Sequence, residues 1–345
     1  MAVKGRILVT GGSGYIATFC IARLLDEGFA VRATVRAASR GAEVRRTVAA
    51  VRGCDAEIEI AAADLTADAG WAAAAADCDG VLHVASPLPS QNPKNDGDLV
   101  GPARDGALRV LTAARDAGAR RVVMTSSTAA VAYGHGGRTA PGTEADWSDA
   151  GNRADTSAYE RSKTLAERAA WDWLAREGGS LELVTVCPGA VLGPVAGRDF
   201  SASIDIVRKL LDGSLPGLPR MGWPLVDVRD IADLHLRALT TQGVAGRRFI
   251  GAGRFFWMAD IAGVLRAEVP ELARRVPRRV LPDWLLRIAA LVDPVVRDRL
   301  FELGKPRPVS SDAARRDLGW TQRPYEETIR DTARSLLAQG LVKAA

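Results

Sequence analysis

Short apolar runs alternating with longer amphipathic stretches set the rhythm of the first half of the chain. Ile7-Leu8-Val9, within Arg6 to Thr10, predicts a strand that stops at Gly11-Gly12-Ser13-Gly14. The apolar periodicity of Tyr15 to Leu25 then predicts a helix ending at Gly28. Further strands are expected over Ala30 to Val35, near Glu57 to Ala61, over Gly80 to Val84 and over Arg121 to Thr125. Helices are expected from Leu65 to Ala76 and from Asp98 to Ala117. The polar, glycine-rich stretch from Tyr133 to Asp155 reads as surface loop. A helix carrying Tyr159 runs to about Glu177, and Leu181 to Cys187 gives a sixth strand. Strands alternating with helices in this way argue for an α/β protein with a doubly wound parallel sheet.

Beyond Pro188 the alternation loosens. Helices are expected near Ser201 to Leu211, from Asp230, over Pro282 to Leu303 and over Tyr325 to Gln339, with strands near Pro224 to Val228 and at Arg248 to Gly251. Trp284 to Val292 is markedly apolar but contains Arg287 and is too short to span a bilayer. Core packing, or a lid over an apolar substrate, is expected there rather than membrane contact.

Composition narrows the function class. The 345 residues are 47% hydrophobic and 25% charged, with 46 basic and 41 acidic residues interleaved and a net charge of +5. That balance is a mixed solvated surface, and no basic run marks a nucleic-acid partner. Cys20, Cys54, Cys78 and Cys187 lie far apart and read as buried reduced thiols. His83, His135 and His235 are too scattered for a metal cluster, so no metal is expected. The opening Met1-Ala-Val-Lys-Gly-Arg6 runs into the first strand without an apolar leader, and no apolar run reaches the length of a membrane span. A cytoplasmic monomer or homodimer acting on a small molecule is expected.

Two stretches carry chemistry. Strand, glycine turn, helix is the order of a phosphate-binding turn, in which glycine lets the main chain approach a pyrophosphate and the new helix presents free N–H groups. The next strand ends in Arg36, where an NAD-selective site would hold a carboxylate. A guanidinium there pairs with the extra phosphate of NADP, so NADP is favoured. Arg40, Arg45 and Arg46 could share that role, and Glu43 works against it. In Tyr159-Glu-Arg-Ser-Lys163 the phenol and the ammonium stand one helical turn apart on one face. The lysine charge is expected to lower the phenol's pKa, making a group that exchanges a proton with an alcohol or carbonyl oxygen. Ser126 and Ser127 follow the fifth strand, at the sheet end where ligands bind.

Together these residues resemble the extended short-chain dehydrogenase/reductase superfamily, within it the dihydroflavonol reductase-like and cinnamoyl-CoA reductase-like branch that includes microbial aldehyde and ketone reductases. The matching pieces are Thr10-Gly-Gly-Ser-Gly-Tyr-Ile-Ala17, Val31 to Arg36, Asp64-Leu65, His83-Val-Ala-Ser-Pro87, Thr125-Ser-Ser127, Asp146-Trp-Ser148 and Tyr159 to Glu167. Pro188-Gly-Ala-Val191, Asp227-Val-Arg-Asp230 and Leu318-Gly-Trp320 extend the likeness over nearly the whole chain. The resemblance implies a Rossmann domain over residues 1–187, to which later strands near 224–251 contribute, and a smaller, mainly helical substrate lobe over 188–345. It implies that Tyr159 protonates the carbonyl oxygen, Lys163 tunes it and holds the nicotinamide ribose, and Ser127, or Ser126 one place off, polarises the same oxygen. It further implies that Gly11, Gly12, Ser13, Gly14, Tyr15 and Ile16 cradle the pyrophosphate, with Arg36 on the adenosine phosphate and Asp64 and Leu65 at the adenine edge. Val84, Ala85, Ser86, Pro188, Gly189, Val191 and Ser203 would wall the ribose and nicotinamide. Where plant flavonoid reductases carry an asparagine after the serine, this chain has Ala132, which implies a less polar, broader pocket. A nucleotide-sugar epimerase or dehydratase, a hydroxysteroid dehydrogenase and a non-catalytic NADP sensor are the competing readings.

Overall fold

The computed structural model describes residues 4–87, 96–197 and 200–343. The expectation of no leader rests partly on Met1 to Val3, which lie outside the described residues. In chain order the first half forms β1 (Arg6–Val9), α1 (Tyr15–Asp26), β2 (Ala30–Val35), α2 (Gly41–Arg52), β3 (Glu59–Ala62) and α3 (Trp71–Ala75). It continues with β4 (Gly80–His83), α4 (Gly97–Asp116), β5 (Arg121–Thr125), α5 (Ala158–Glu177) and β6 (Glu182–Pro188). The second half forms β7 (Ala190–Leu192), α6 (Ala202–Asp212), β8 (Gly222–Asp227), α7 (Val228–Thr240), β9 (Arg247–Gly251) and β10 (Phe255–Trp257). It ends with α8 (Met258–Glu268), α9 (Asp283–Ala289), α10 (Pro294–Arg297), α11 (Asp312–Leu318) and α12 (Tyr325–Ala338).

Seven parallel strands form one sheet in the order β3-β2-β1-β4-β5-β6-β9. Every residue of β5 is buried, because helices cover both faces. This is why such strands read as continuous apolar runs. On one face α1 and α7 pack through Phe19, Ile21, Leu24, Ile231 and Leu234. The opposite face is closed by α4 and α5 with Trp71, Leu111, Ala170 and Trp173. The order reverses between β1 and β4, and in open parallel sheets ligands bind beyond the strand ends at such a point.

The last strand of the large sheet comes from the second half: β9 pairs with β6 through Val184↔Arg247 to Pro188↔Gly251. A second sheet, β10-β8-β7, is backed by α6, α8 and α12 through Ile204, Leu210, Leu265, Ile329 and Leu336. Two of the late motifs are structural joints between these parts. The Trp320 side chain is fully buried and its indole N–H donates to the Asp230 carbonyl at 2.8 Å. Arg229 bridges Asp227 and Asp331, tying the start of α7 to α12.

Several expectations need correction. The helix expected over Pro282 to Leu303 is broken: Asp293 accepts from the N–H groups of Val295 and Val296, and Pro294 occupies the first position of a new helix. Neither α9 nor α10 has a buried residue, and of Trp284 to Val292 only Ala290 is buried, so the large apolar side chains of the stretch are not core. Phe255-Phe256-Trp257, not among the expected strands, is a strand antiparallel to β8. Cys54 is exposed; the other three cysteines are buried, and all four are free. The Tyr133 to Asp155 stretch is irregular, but Tyr133, Ser148 and Asp155 within it are buried. Ser148 Oγ accepts from the Tyr133 N–H at 2.9 Å and donates to the Ala129 carbonyl at 2.8 Å, while Asp155 pairs with Arg307.

Candidate active site

β1 leads into a turn too tight for side chains. Gly11 has φ of +69°, and a Cβ on it would lie 3.0 Å from the Ala85 backbone. On Gly12 a Cβ would meet that of Ala33 at 2.8 Å. Thr34 fixes the turn, its hydroxyl accepting from the Gly11 N–H at 3.0 Å and its carbonyl from Gly12 at 2.8 Å. No side chain caps the start of α1 after Gly14, so its first N–H groups remain available to an anion. The cradle fits a dinucleotide pyrophosphate, since glycine lets the turn close tightly against Ala85 and Ala33 and the start of α1 is left uncapped. Tyr15 and Ile16 pack their side chains against the core and so offer main chain only. The Tyr15 hydroxyl is buried without a partner, and burial raises its pKa.

Arg36 and Asp64 stand just past the ends of the paired strands β2 and β3. Arg36 is exposed, and its charge is one of the influences lowering the pKa of Asp64. The larger influences are the N–H and hydroxyl of Thr66, both donated to one Asp64 oxygen at 2.8 Å. Leu65 packs below Gly106. Of the alternative arginines, Arg40 pairs with Glu43, and Arg45 donates twice to the Ile58 carbonyl. Arg36 is exposed at the end of β2, and Arg46 is exposed on α2.

Helix α5 is set in register by a reciprocal cap. The Ser157 hydroxyl accepts from the helix start while the Glu160 carboxylate takes the Ser157 N–H at 2.7 Å. Tyr159 thus falls in the first turn and Lys163 in the next. The Ser-x-x-Glu spacing was visible in the sequence and would have placed the helix start. The Ser127 hydroxyl hydrogen-bonds the Tyr159 phenol, and also accepts from the Ala129 N–H at 3.1 Å. Lys163 Nζ lies 6.0 Å from the centre of the Tyr159 ring and donates to Ser86 Oγ at 3.0 Å.

The expected lowering of the phenol's pKa is not what the structure gives. Burial outweighs the Ser127 hydrogen bond, and the Tyr159 pKa is raised. Lys163 is itself desolvated and pushed down to about 8. At neutral pH the pair is therefore a protonated phenol beside an ammonium. That is the form that gives a proton away.

Ser126 is excluded from this role by its partner. Its hydroxyl donates at 2.6 Å to Glu167, which is fully buried and also accepts from Thr185 Oγ1 at 2.7 Å and Arg248 Nε at 2.8 Å. This network ties α5 to β5, β6 and β9, and holds Tyr159 and Lys163 over the sheet end. Arg248 also donates to the carbonyls of Glu144 and Asp146 and lies 3.8 Å from the centre of the Trp147 ring. The Asp146-Trp-Ser148 motif is thereby fixed. Asp155 accepts from the Gly134 and Gly136 N–H groups and pairs with Lys305 and Arg307, drawing the C-terminal segment onto the same loop. The roles of Glu167, Arg248 and Asp155 are not legible in the sequence, because their partners lie far away along the chain.

The remaining wall residues differ in what they present. Thr10 shares a hydrogen bond with His83 at 2.9 Å and accepts the Ala85 N–H at 3.0 Å, which seats the Val84-Ala85-Ser86 strand exit against the glycine turn. His83 is neutral: burial, then the Lys163 charge, pushes it down to about 3. Gly189 follows β6, where a Cβ would collide with the Pro224 carbonyl at 2.3 Å. Pro188 and Val191 are buried, and Ser203 lies partly exposed in α6. Of the large apolar residues around β8 and β10, Leu218 and Phe256 are core, while Met221, Trp223, Phe255 and Trp257 keep part of their surface exposed. No cluster of metal-binding side chains occurs among the described residues.

Residues 7–250 match the model of the NAD dependent epimerase/dehydratase family. The chain belongs to that family. It is 30% identical over 335 residues to a cinnamoyl-CoA reductase of Medicago truncatula, covering 96% of this chain and 95% of the relative. To a ketoreductase of Aspergillus niger it is 32% identical over 300 residues, covering 81% and 87% of the two chains. Among solved structures it is similar to yeast methylglyoxal/isovaleraldehyde reductase Gre2 complexed with NADPH, with a TM-score of 0.79, 25% identity and coverage of 98% and 100%. The resemblance to the extended short-chain dehydrogenases and to their reductase branch therefore holds, and this member of the family is an NAD(P)-dependent oxidoreductase.

Proposed function

We propose that the protein reduces hydrophobic aldehydes or ketones to alcohols with NADPH, using Tyr159 as general acid. The observation that carries this reading is the buried Tyr159 phenol beside the Ser127 hydroxyl, with Lys163 Nζ 6.0 Å from the ring centre and one helical turn on. When bound, the nicotinamide supplies the hydride. The protein supplies the rest: Ser127 polarises the carbonyl oxygen, Tyr159 gives it a proton, and Lys163 provides positive charge that eases the phenol's loss of that proton. Gly11 to Gly14 would hold the pyrophosphate and Arg36 the adenosine phosphate. The partly exposed Trp223, Phe255 and Trp257 favour an apolar substrate group over the diphosphate of a nucleotide sugar. Assays under NADPH with aryl ketones, aromatic aldehydes, dihydroflavonols, steroids and nucleotide sugars test the substrate class. Turnover of nucleotide sugars alone would overturn it.

Cofactor choice gives a separate test. Arg36→Asp places a carboxylate where the extra phosphate would sit, and should shift the ratio of kcat/KM for NADPH over NADH towards NADH by at least about tenfold, the loss of one charge-assisted contact. An unchanged ratio would show that another group holds the phosphate.

The pH profile follows from Lys163. Below about pH 8 its ammonium is intact and the phenol is protonated, so kcat/KM for reduction should be level through neutrality. It should fall as pH rises through about 8, when the ammonium loses its proton. In Lys163→Arg the charge persists, and the falling limb should move to higher pH. A limb left at the same pH in that variant would assign it to another group.

A further inference from the structure

Among the described residues, the large apolar side chains left in water are concentrated on one stretch. Val280, Trp284, Leu285, Ile288, Leu291, Val292 and Val295 are all exposed, up to 75% for Leu291 and 85% for Val292. Elsewhere among the described residues only Leu165 and Leu337 are large apolar side chains in the exposed class. The stretch is held in place: Val280 bridges to Leu218, Arg220 pairs with Asp283, and Arg297 Nε donates at 2.9 Å to the Ala290 carbonyl, closing α10 onto the end of α9. An exposed apolar stretch held in place in this way marks a contact site.

Charge identifies the partner. From 271 to 299 the chain carries seven arginines against four carboxylates, and Arg274, Arg275, Arg278, Arg279 and Arg287 are all exposed. We propose that the α9–α10 face docks on an anionic lipid surface, its tryptophan and aliphatic side chains entering the headgroup boundary while the arginines meet lipid phosphates. Tryptophan with arginine beside a short apolar face is the composition of a segment lying in the membrane interface. A second copy of the chain is a poorer fit, because a twofold contact repeats the same patch on both sides and sets these arginines against one another. The face lies on the bilayer and does not cross it: no helix among the described residues is long and apolar enough to span.

Sedimentation of the full chain with vesicles tests this. Vesicles of phosphatidylcholine containing about 30% phosphatidylglycerol should carry the protein down, whereas pure phosphatidylcholine or high salt should reduce binding by roughly tenfold, as headgroup charge and screening require. Two variants, Trp284→Asp with Val292→Asp, and Arg278→Ser with Arg279→Ser, should each lose the binding while keeping the wild-type melting temperature and turnover of a small water-soluble aldehyde. No binding to the anionic vesicles, or binding unchanged in both variants, would overturn the proposal. It would equally be overturned by a wild-type dimer that the first variant dissociates, which makes the face a self-contact. Loss of turnover in that variant would instead assign the face to the substrate site.

Discussion

Tyr159→Phe should lower kcat for aldehyde reduction by ~10²–10⁴, the usual contribution of a positioned general acid. Phenylalanine keeps the ring and removes only the oxygen, so the packing around the start of α5 is retained. Ser127 loses one hydrogen-bond partner but keeps the Ala129 N–H. The stability cost should therefore stay near ~1 kcal/mol, the net worth of one hydrogen bond. Cofactor affinity, measured by fluorescence titration, should change little, because the glycine turn and Arg36 are untouched. The combination of intact folding, intact cofactor binding and lost turnover separates proton donation from a structural role. Full turnover in this variant would remove Tyr159 from the reaction and with it the proposed assignment of Ser127 and Lys163.

Arg248→Met should have the largest effect on stability. Arg248 and Glu167 are buried together at 2.8 Å, with Glu167 fully inaccessible. Removing the guanidinium strands a carboxylate beneath the sheet, and breaking such a pair costs ~3–5 kcal/mol. With an unfolding entropy of about 2.1 cal/mol/K per residue, a chain of this length should melt roughly 4–7 °C lower. Adding Glu167→Gln should recover a large part of the loss, since the amide is uncharged and its oxygen still accepts from Ser126 or Thr185. A single variant that melts with the wild type would mean that water reaches Glu167. Turnover should also fall in Arg248→Met, because α5 loses its link to β9 and the loop around Trp147 loses its ring contact and two backbone bonds.

The sequence carried the strands of the large sheet because central parallel strands are buried on both sides, leaving unbroken runs such as Val122-Val123-Met124. It did not carry α2, which buries only Gly41, Val44 and Val48 and is otherwise a solvated helix rich in arginine. The three-residue strands β7 and β10 are too short to display a period of two. At the site, the glycine turn and the Tyr159–Lys163 spacing are local and could be read directly. The choice between Ser126 and Ser127 could not, since both follow β5 and what separates them is Glu167, 41 residues onward. The phenol's raised pKa was likewise hidden. It depends on how deeply the tertiary fold buries the ring, whereas the spacing shows only that a lysine is near.

Because β9 completes the sheet beside β6, the order of synthesis leaves an interval of exposure. When Pro188 leaves the ribosome, the outer edge of β6 has open hydrogen-bonding groups, and its partner has yet to be made. About 60 further residues must follow, which at typical translation speeds takes roughly 3–12 seconds. Over that time Glu167 also lacks its arginine. A nascent chain held in this state offers an apolar, unpaired strand to its neighbours, so conditions that slow elongation between β6 and β9 should favour inclusion bodies even though the finished fold has that edge covered.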